Sequence, residues 1–364
     1  MNAISASLAP APRGRLELVG LRKRFGGQAG VDTLSLDIRP GEFFTLLGPS
    51  GCGKTTTLMM LAGFLQPDAG HVRLDGVDIT ATPPPQRGLG VVFQQYALFP
   101  HLSVRENLAF PLEMRGMPRH EIADRVGRVL ELVQLSQADQ LPAELSGGQQ
   151  QRVAVARALV FDPPVLLMDE PLGALDRSLR LHLQRELRAL QRRLGITVIY
   201  VTHDQDEAMA MSDRIAIMRH GRVAQVDPPQ RLYDTPASLF IAEFLGDNNR
   251  LPAARSAGPG AIRLDNGRLL ATAEHGLPDG AAVIATLRPE RLRWHTNGAG
   301  HIARVEASTY FGSQYELIVD APGFGQLRVL SASDGRCCAP AIGDTVSIDW
   351  AASDVRVFPV DQTV

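Results

Sequence analysis

Apolar and polar residues alternate through 15–25, RLELVGLRKRF, and again through 33–47, TLSLDIRPGEFFTLL. A period of two marks strands with one buried face. The second stretch ends in FFTLL, apolar on both faces, as in a strand enclosed on two sides. A Gly-rich turn follows, and TTTLMMLAGFL (55–65) is expected to continue as a helix. The period then lengthens: EIADRVGRVLELVQL places Ile122, Val126, Val129, Leu130 and Val133 on one helical stripe. That stripe lies in a helical insert expected over about 100–145. VAVARALV (153–160) reads as a helix, PVLLMDE (164–170) as a buried strand, 177–194 as a helix and ITVIYVTH (196–203) as another buried strand. Strands alternating with helices predict a mixed, mostly parallel α/β sheet, which holds ligands at the carboxyl ends of its strands.

Near residue 240 the pattern changes. AAVIATLRPERLRW, HIARVEASTYFG, YELIVDAPG, QLRVLSAS, DTVSIDW and DVRVFPV are short Val-, Ile- and Leu-rich runs separated by turn residues. They predict a small all-β barrel or sandwich over 250–364. The 364-residue length suits two domains. The first is expected over 15–240, behind a flexible, Pro-containing tail at 1–14 without the apolar core of an export signal.

Composition narrows the function classes. With 45% hydrophobic and 21% charged residues the chain is globular, and a net charge of -2 gives no electrostatic reason to expect nucleic acid. The β-rich part carries 11 Arg and no Lys against 12 acidic residues, without the basic groove of a nucleic-acid barrel. No apolar stretch is long enough for a membrane helix. Cys52, Cys337 and Cys338 read as free thiols, the last two being adjacent. Of 37 basic residues only Lys23 and Lys54 are lysines, and Lys54 lies in the Gly-rich turn. A compact ammonium there differs in reach and hydration from the guanidinium used almost everywhere else.

The turn itself, GPSGCGKTT at 48–56, fits G-x-x-x-x-G-K-[ST] between an expected strand and helix. Gly48, Gly51 and Gly53 allow backbone N–H groups to face a polyphosphate, helped by the positive end of the helix that follows. In such a loop Lys54 reaches the terminal phosphates and Thr55 ligates Mg²⁺. PVLLMDEP sets Asp169 and Glu170 at the end of a buried strand, one suited to the Mg²⁺ shell and the other to activating water. His203 ends the next apolar strand, and Gln94 follows the short run GVVF, within reach of Mg²⁺ or water.

A second Gly-rich turn, LSGGQQQR at 145–152, also leads into a helix. With it the chain resembles the ATP-binding subunits of ABC transporters over 15–240. GPSGCGKT looks like Walker A, VLLMDE like Walker B, Gln94 like the Q-loop, GALD like the D-loop and His203 like the switch histidine. The resemblance implies an α/β P-loop ATPase domain with a helical insert, followed by an OB-like TOBE domain. It implies ATP held by Phe25, Gly48, Pro49, Ser50, Gly51, Cys52, Gly53, Lys54, Thr55 and Thr56, with Phe25 stacked on adenine unless it is a core or turn aromatic. Mg²⁺ falls to Thr55, Gln94 and Asp169, and catalysis to Glu170, His203 and Gln94. Ser146, Gly147, Gly148 and Gln149 would meet the ATP of an opposite protomer in a head-to-tail homodimer, with Asp176 of the D-loop across the same contact. Gly173 stands where that loop often has Ser.

The resemblance further implies two membrane permeases, a periplasmic or surface solute-binding protein, and a place on the cytoplasmic face of the bacterial inner membrane. Tyr96, Leu98 and Phe99 are expected either to meet the permease or to pack in the core. The chain looks most like the spermidine/putrescine branch of the importers, with ferric-iron, phosphonate and opine importers as alternatives. A soluble ABC protein of translation or repair fits less well, because one cassette is present and no heptads separate Lys54 from Ser146.

Overall fold

The computed structural model describes residues 13–26, 28–173, 176–296, 298, 300–333 and 339–360. The chain divides into two compact units, Met1–Gln230 and Arg231–Val364. In the first, β1 (Leu16–Phe25), β2 (Gln28–Ile38), β3 (Phe43–Leu47), α1 (Lys54–Ala62), β4 (Ala69–Leu74), β5 (Val77–Asp78) and β6 (Gly90–Val92) come in order. Then follow α2 (Val104–Glu113), α3 (Arg119–Leu132), α4 (Gly147–Leu159), β7 (Val165–Asp169), α5 (Arg177–Leu194), β8 (Thr197–Thr202), α6 (Gln205–Met211), β9 (Arg214–Arg219) and β10 (Arg222–Asp227).

Two sheets form. β2-β1-β4-β5 is antiparallel, in keeping with its alternating pattern. The other runs β10-β9-β3-β8-β7-β6, parallel from β9 to β6 with β10 antiparallel at one edge. All residues of β3, β7 and β8 are buried, which is why their sequences are continuous apolar runs. The order β3-β8-β7-β6 sets four strand ends side by side on one edge.

Local chemistry decides where the helices stop. The run 55–65 predicts helix through Leu65, but α1 ends at Ala62. Gly63 turns left-handed at φ 87° and caps the helix by donating to Met59 and Met60 carbonyls. Ser103 opens α2 with a capping box to Glu106. On α3 the expected stripe faces inward through Ile122, Val126 and Leu130. The second strand, expected from 33, starts earlier, at Gln28. Of the tail expected over 1–14, residues 1–12 lie outside the described residues. Gly14 donates to the Asp75 carboxylate at 2.9 Å, and its carbonyl accepts from Thr197 at 2.8 Å.

Helix α7 (Pro229–Asp234) straddles the division between units, and α8 (Leu239–Phe244) follows it; neither was legible in the sequence. The second unit then holds β11 (Asn249–Arg250), β12 (Ala254–Ser256), β13 (Ala261–Leu264), β14 (Leu269–Ala271), β15 (Ala282–Leu287), β16 (Arg293–His295), β17 (His301–Tyr310), β18 (Gln314–Ala321), β19 (Gly325–Ala332), β20 (Thr345–Asp349) and β21 (Arg356–Pro359). One sheet is β11-β15-β12-β13-β14 with β21 on β15, and the other is β16-β20-β17-β18-β19. Ile262, Leu287, Leu317, Val319, Val329 and Ile348 are wholly buried in the shared core. The run at 281–294 is interrupted at Pro289, where a short 3₁₀ turn separates β15 from β16.

Candidate active site

The Gly-rich loop leaves β3 and folds tightly for reasons visible atom by atom. A Cβ on Gly48 would lie 2.4 Å from the Met218 carbonyl oxygen, and one on Gly53 would lie 2.4 Å from that of Gly30. Gly53 also holds φ at 103°, a conformation that L side chains rarely adopt. Lys54 folds back under the loop, where its Nζ donates to the Gly48 carbonyl at 2.7 Å and the Pro49 carbonyl at 3.1 Å. Ser50, Gly51 and Thr55 are exposed and Thr56 half-buried, so the loop's outer surface is open. Cys52 is buried beneath it, 3.8 Å from Lys54 Nζ. Burial pushes the Cys52 thiol up, against the opposing pull of Lys54.

Asp169 and Glu170 are adjacent in sequence yet serve different partners. Thr55 Oγ1 donates to Asp169 at 3.4 Å. Glu170 accepts from Gln94 Nε2 at 3.3 Å and stands 3.0 Å from His203 Nδ1. The divergence comes from the backbone: Glu170 adopts φ 44° while its N–H still donates to Val201, prolonging the β7–β8 ladder by one bond. A left-handed non-Gly residue is strained, and such strain gathers at functional sites. Burial, with Glu170 alongside, raises the Asp169 carboxyl above its usual range, while Thr55 and Lys54 oppose the shift. A cation beside Asp169 would relieve that penalty.

The residues present fit Mg²⁺. A hydroxyl and a carboxylate are hard oxygen donors, and Mg²⁺ is usually bound by one or two carboxylates together with substrate phosphates. Among the described residues no group of three or more His, Cys, Asp or Glu forms a cage of its own.

Several supporting residues were invisible in the sequence. Gln94 precedes a turn in which Tyr96 and Ala97 are both left-handed, at φ 59° and 48°. Arg157, on α4, holds that turn by donating to the Ala97 and Tyr96 carbonyls at 2.7 and 2.8 Å. An Arg on a helix face gives no sign of this task. Tyr96 itself is buried with its hydroxyl toward the Pro171 carbonyl, which settles the alternatives for it as core packing. Leu98 packs partly on the core, and the Phe99 ring lies tilted against Phe110 with centroids 4.6 Å apart. Behind His203, buried Glu207 accepts from Tyr200 at 2.8 Å and Thr202 at 2.9 Å, and Asp204 pairs with Arg180 of α5 at 2.9 Å.

The remaining expected residues fall in two places. Phe25 is 51% exposed, with its ring against Gly30, whose carbonyl faces Gly53. It therefore flanks the loop with a free face. Ser146 caps α4: its N–H donates to Gln149 Oε1 at 2.8 Å, and its hydroxyl accepts from the Gln149 N–H at 3.4 Å. Gly147 is exposed at the same helix start, and Gly148 packs against Leu179. Asp176 is exposed and caps α5 by accepting from Leu179 at 3.0 Å. Ser146, Gln149 and Asp176 are thus engaged locally and are not tied into the cluster around Glu170. Gly173 is described and exposed, whereas residues 174 and 175 of the same loop, like Cys337 and Cys338, lie outside the described residues.

Comparison with known proteins agrees in both units. Residues 31–173 match the family profile described as ABC transporter, and 285–358 match the TOBE domain. The spermidine/putrescine import ATP-binding protein PotA of Rubrobacter xylanophilus is 50% identical over 93% of this chain and 92% of its own length. That of Pseudomonas aeruginosa strain UCBPP-PA14 is 47% identical over 92% and 96%. Among solved structures, cbiO1 of Clostridium perfringens, part of an ABC transporter complex, aligns with TM-score 0.56 and 30% identity over 60% of this chain and 90% of its own. A dimeric ATP-binding cassette in a post-hydrolysis state, bound to ADP and Pi, aligns with TM-score 0.52 and 33% identity over 59% and 98%.

Proposed function

Since this chain belongs to the ATP-binding family of ABC transporters with a TOBE domain, we propose that it powers polyamine import, hydrolysing ATP on behalf of separate permease subunits. It is an ATPase. The substrate reading, spermidine or putrescine, is supported by relatives of that name at 44–50% identity over nearly the whole chain.

The observation that carries the mechanism is the meeting of Glu170, His203 and Gln94 beside the Thr55–Asp169 pair, at the ends of adjacent parallel strands. Gly51, Gly53 and the start of α1 turn N–H groups toward the phosphates, and Lys54 moves from the loop carbonyls to the terminal phosphates. Phe25 stacks on the adenine. Thr55 and Asp169 hold Mg²⁺, joined by Gln94; the ion supplies charge neutralisation along the phosphate chain. Glu170 accepts the proton of the attacking water. His203 holds the Glu170 carboxylate in place from one side and Gln94 from the other.

Ser146, Gly147 and the α4 N-terminus form a second anion site that serves the nucleotide of a second copy. Head-to-tail pairing then encloses two ATP molecules, with Asp176 near the contact. The subunit works on the cytoplasmic face of the membrane beneath two permeases, with an extracytoplasmic binding protein delivering solute. No helix among the described residues is long and apolar enough to cross a membrane.

Uptake of labelled spermidine and putrescine by cells lacking this gene tests the reading. Uptake falls in the deletion, returns with the wild-type chain and does not return with Lys54→Ala. Normal polyamine uptake, with loss of ferric iron, phosphonate or opine uptake instead, would overturn the substrate.

A further inference from the structure

Gln94 is held less by its own side chain than by the turn around it. The residue is exposed, and its amide reaches Glu170 only at 3.3 Å, longer than an ordinary N–H···O bond. The turn closes behind it: the Tyr96 N–H donates to the Phe93 carbonyl at 2.9 Å, and the Ala97 N–H to the Gln95 carbonyl at 2.6 Å. Gln94 is the second residue of that four-residue turn.

Local preference does not explain this conformation. Tyr96 and Ala97 are consecutive left-handed residues, at φ 59° and 48°, and neither is Gly, Asn or Asp. Such a backbone persists only where its surroundings impose it. The Tyr96 hydroxyl, donating to the Pro171 carbonyl at 3.3 Å, is one anchor. Arg157 is the stronger one: its two terminal nitrogens donate to the Ala97 and Tyr96 carbonyls at 2.7 and 2.8 Å, and its guanidinium lies 5.6 Å from the Phe99 ring centroid. A planar fork suits two neighbouring acceptors better than a single ammonium does.

Arg157 is half-buried, and among the described residues no carboxylate pairs with it; burial lowers its pKa from the ordinary value. Sheltering a charge without a counter-ion is unfavourable, so its hydrogen bonds to this turn must offset that cost. Those bonds go to neither Gln94 nor Glu170. Any influence on the reaction therefore passes through the backbone of the turn.

We infer that Arg157 is a positioning residue for ATP hydrolysis, acting through the Tyr96–Ala97 turn on Gln94. The inference rests on Gln94 steadying the Glu170 carboxylate. The brace is built on α4, the helix that Ser146 caps.

A double-substitution cycle on the full-length chain tests this, reading kcat and KM for ATP and, separately, affinity for a fluorescent non-hydrolysable ATP analogue. Arg157→Met keeps an apolar stem beside Phe99 and removes the fork. Its kcat should fall about tenfold, the scale of one lost charge-assisted hydrogen bond, as should that of Gln94→Ala. KM and analogue affinity should stay within about twofold of wild type. In the Gln94→Ala background, Arg157→Met should cost less than about twofold more in kcat, whereas a merely structural loss would cost the same factor in either background. Additive losses, or an unchanged kcat in Arg157→Met beside a slowed Gln94→Ala, would overturn the inference and leave the role of Gln94 standing. Wild-type turnover in Gln94→Ala would remove that role and the inference with it. Arg157→Lys, which keeps the charge and loses the fork, carries the same comparison if the Met variant fails to fold.

Discussion

His203 Nδ1 lies 3.0 Å from the Glu170 carboxylate, although the two side chains leave different strands, β8 and β7. The contact depends on the left-handed turn at Glu170, which directs this carboxylate away from Asp169. It separates two adjacent acids into two tasks, and the first prediction tests that division.

Glu170→Gln keeps the side chain's shape and its place beside Gln94 and His203 but cannot accept a proton. ATP turnover should fall by roughly 10²–10⁴-fold, the range for a lost general base, while ATP affinity stays close to wild type. With ATP and Mg²⁺ the variant should elute as a dimer. A monomeric profile under those conditions would count against nucleotide acting between two copies.

The local capping of Ser146 predicts complementation. Lys54→Ala disables a chain's own phosphate loop, and Ser146→Arg disables its contribution to the partner's site. Neither should hydrolyse ATP alone. Mixed together, they form pairs in which one composite site carries both lesions and the other carries none, so turnover reappears. A mixture as inactive as its parts would mean that each chain completes its own site.

Cys52 tests the interior of the loop. Burial raises its thiol pKa, so the fold favours the protonated form, and any stability from this group is lost as pH rises through that raised value. Iodoacetamide should label Cys52 slowly at neutral pH, faster under strongly alkaline conditions as the thiolate forms, and rapidly under either condition once the chain is denatured. Peptide mass spectrometry reads the site directly. Fast labelling of the folded protein at neutral pH would contradict the buried position.

Arg87 is 3% exposed and spends its guanidinium on four carbonyls: Met60 and Leu61 at the end of α1, and Thr80 and Thr82, all at 2.7–2.8 Å. Arg87→Ala strands those acceptors and should cost about 3 kcal/mol or more, lowering Tm by roughly 6–12 °C for a unit of this size. Thermal unfolding followed by circular dichroism checks it. A shift under about 2 °C would mean that water replaces the guanidinium.

Much of this protein was determined by sequence pattern alone. Continuous apolar runs mark strands buried on both faces, so β3, β7 and β8 were readable, and the alternation of 15–25 marked the separate antiparallel sheet. Gly48 and Gly53 could be recognised from their places in the G-x-x-x-x-G-K-[ST] spacing. Those are local constraints, written in neighbouring residues. Sheet order, by contrast, arises from pairing between segments far apart in the chain. Only the tertiary structure decided that the ends of β3, β8, β7 and β6 lie side by side and that Glu170 turns toward His203. It alone decided that Arg157 braces the turn after Gln94 and that the Gln151 amide is buried without a hydrogen-bond partner among the described residues. The physical reason is the same in each case: a side chain's partner is chosen by packing across elements, and no spacing within one element encodes it.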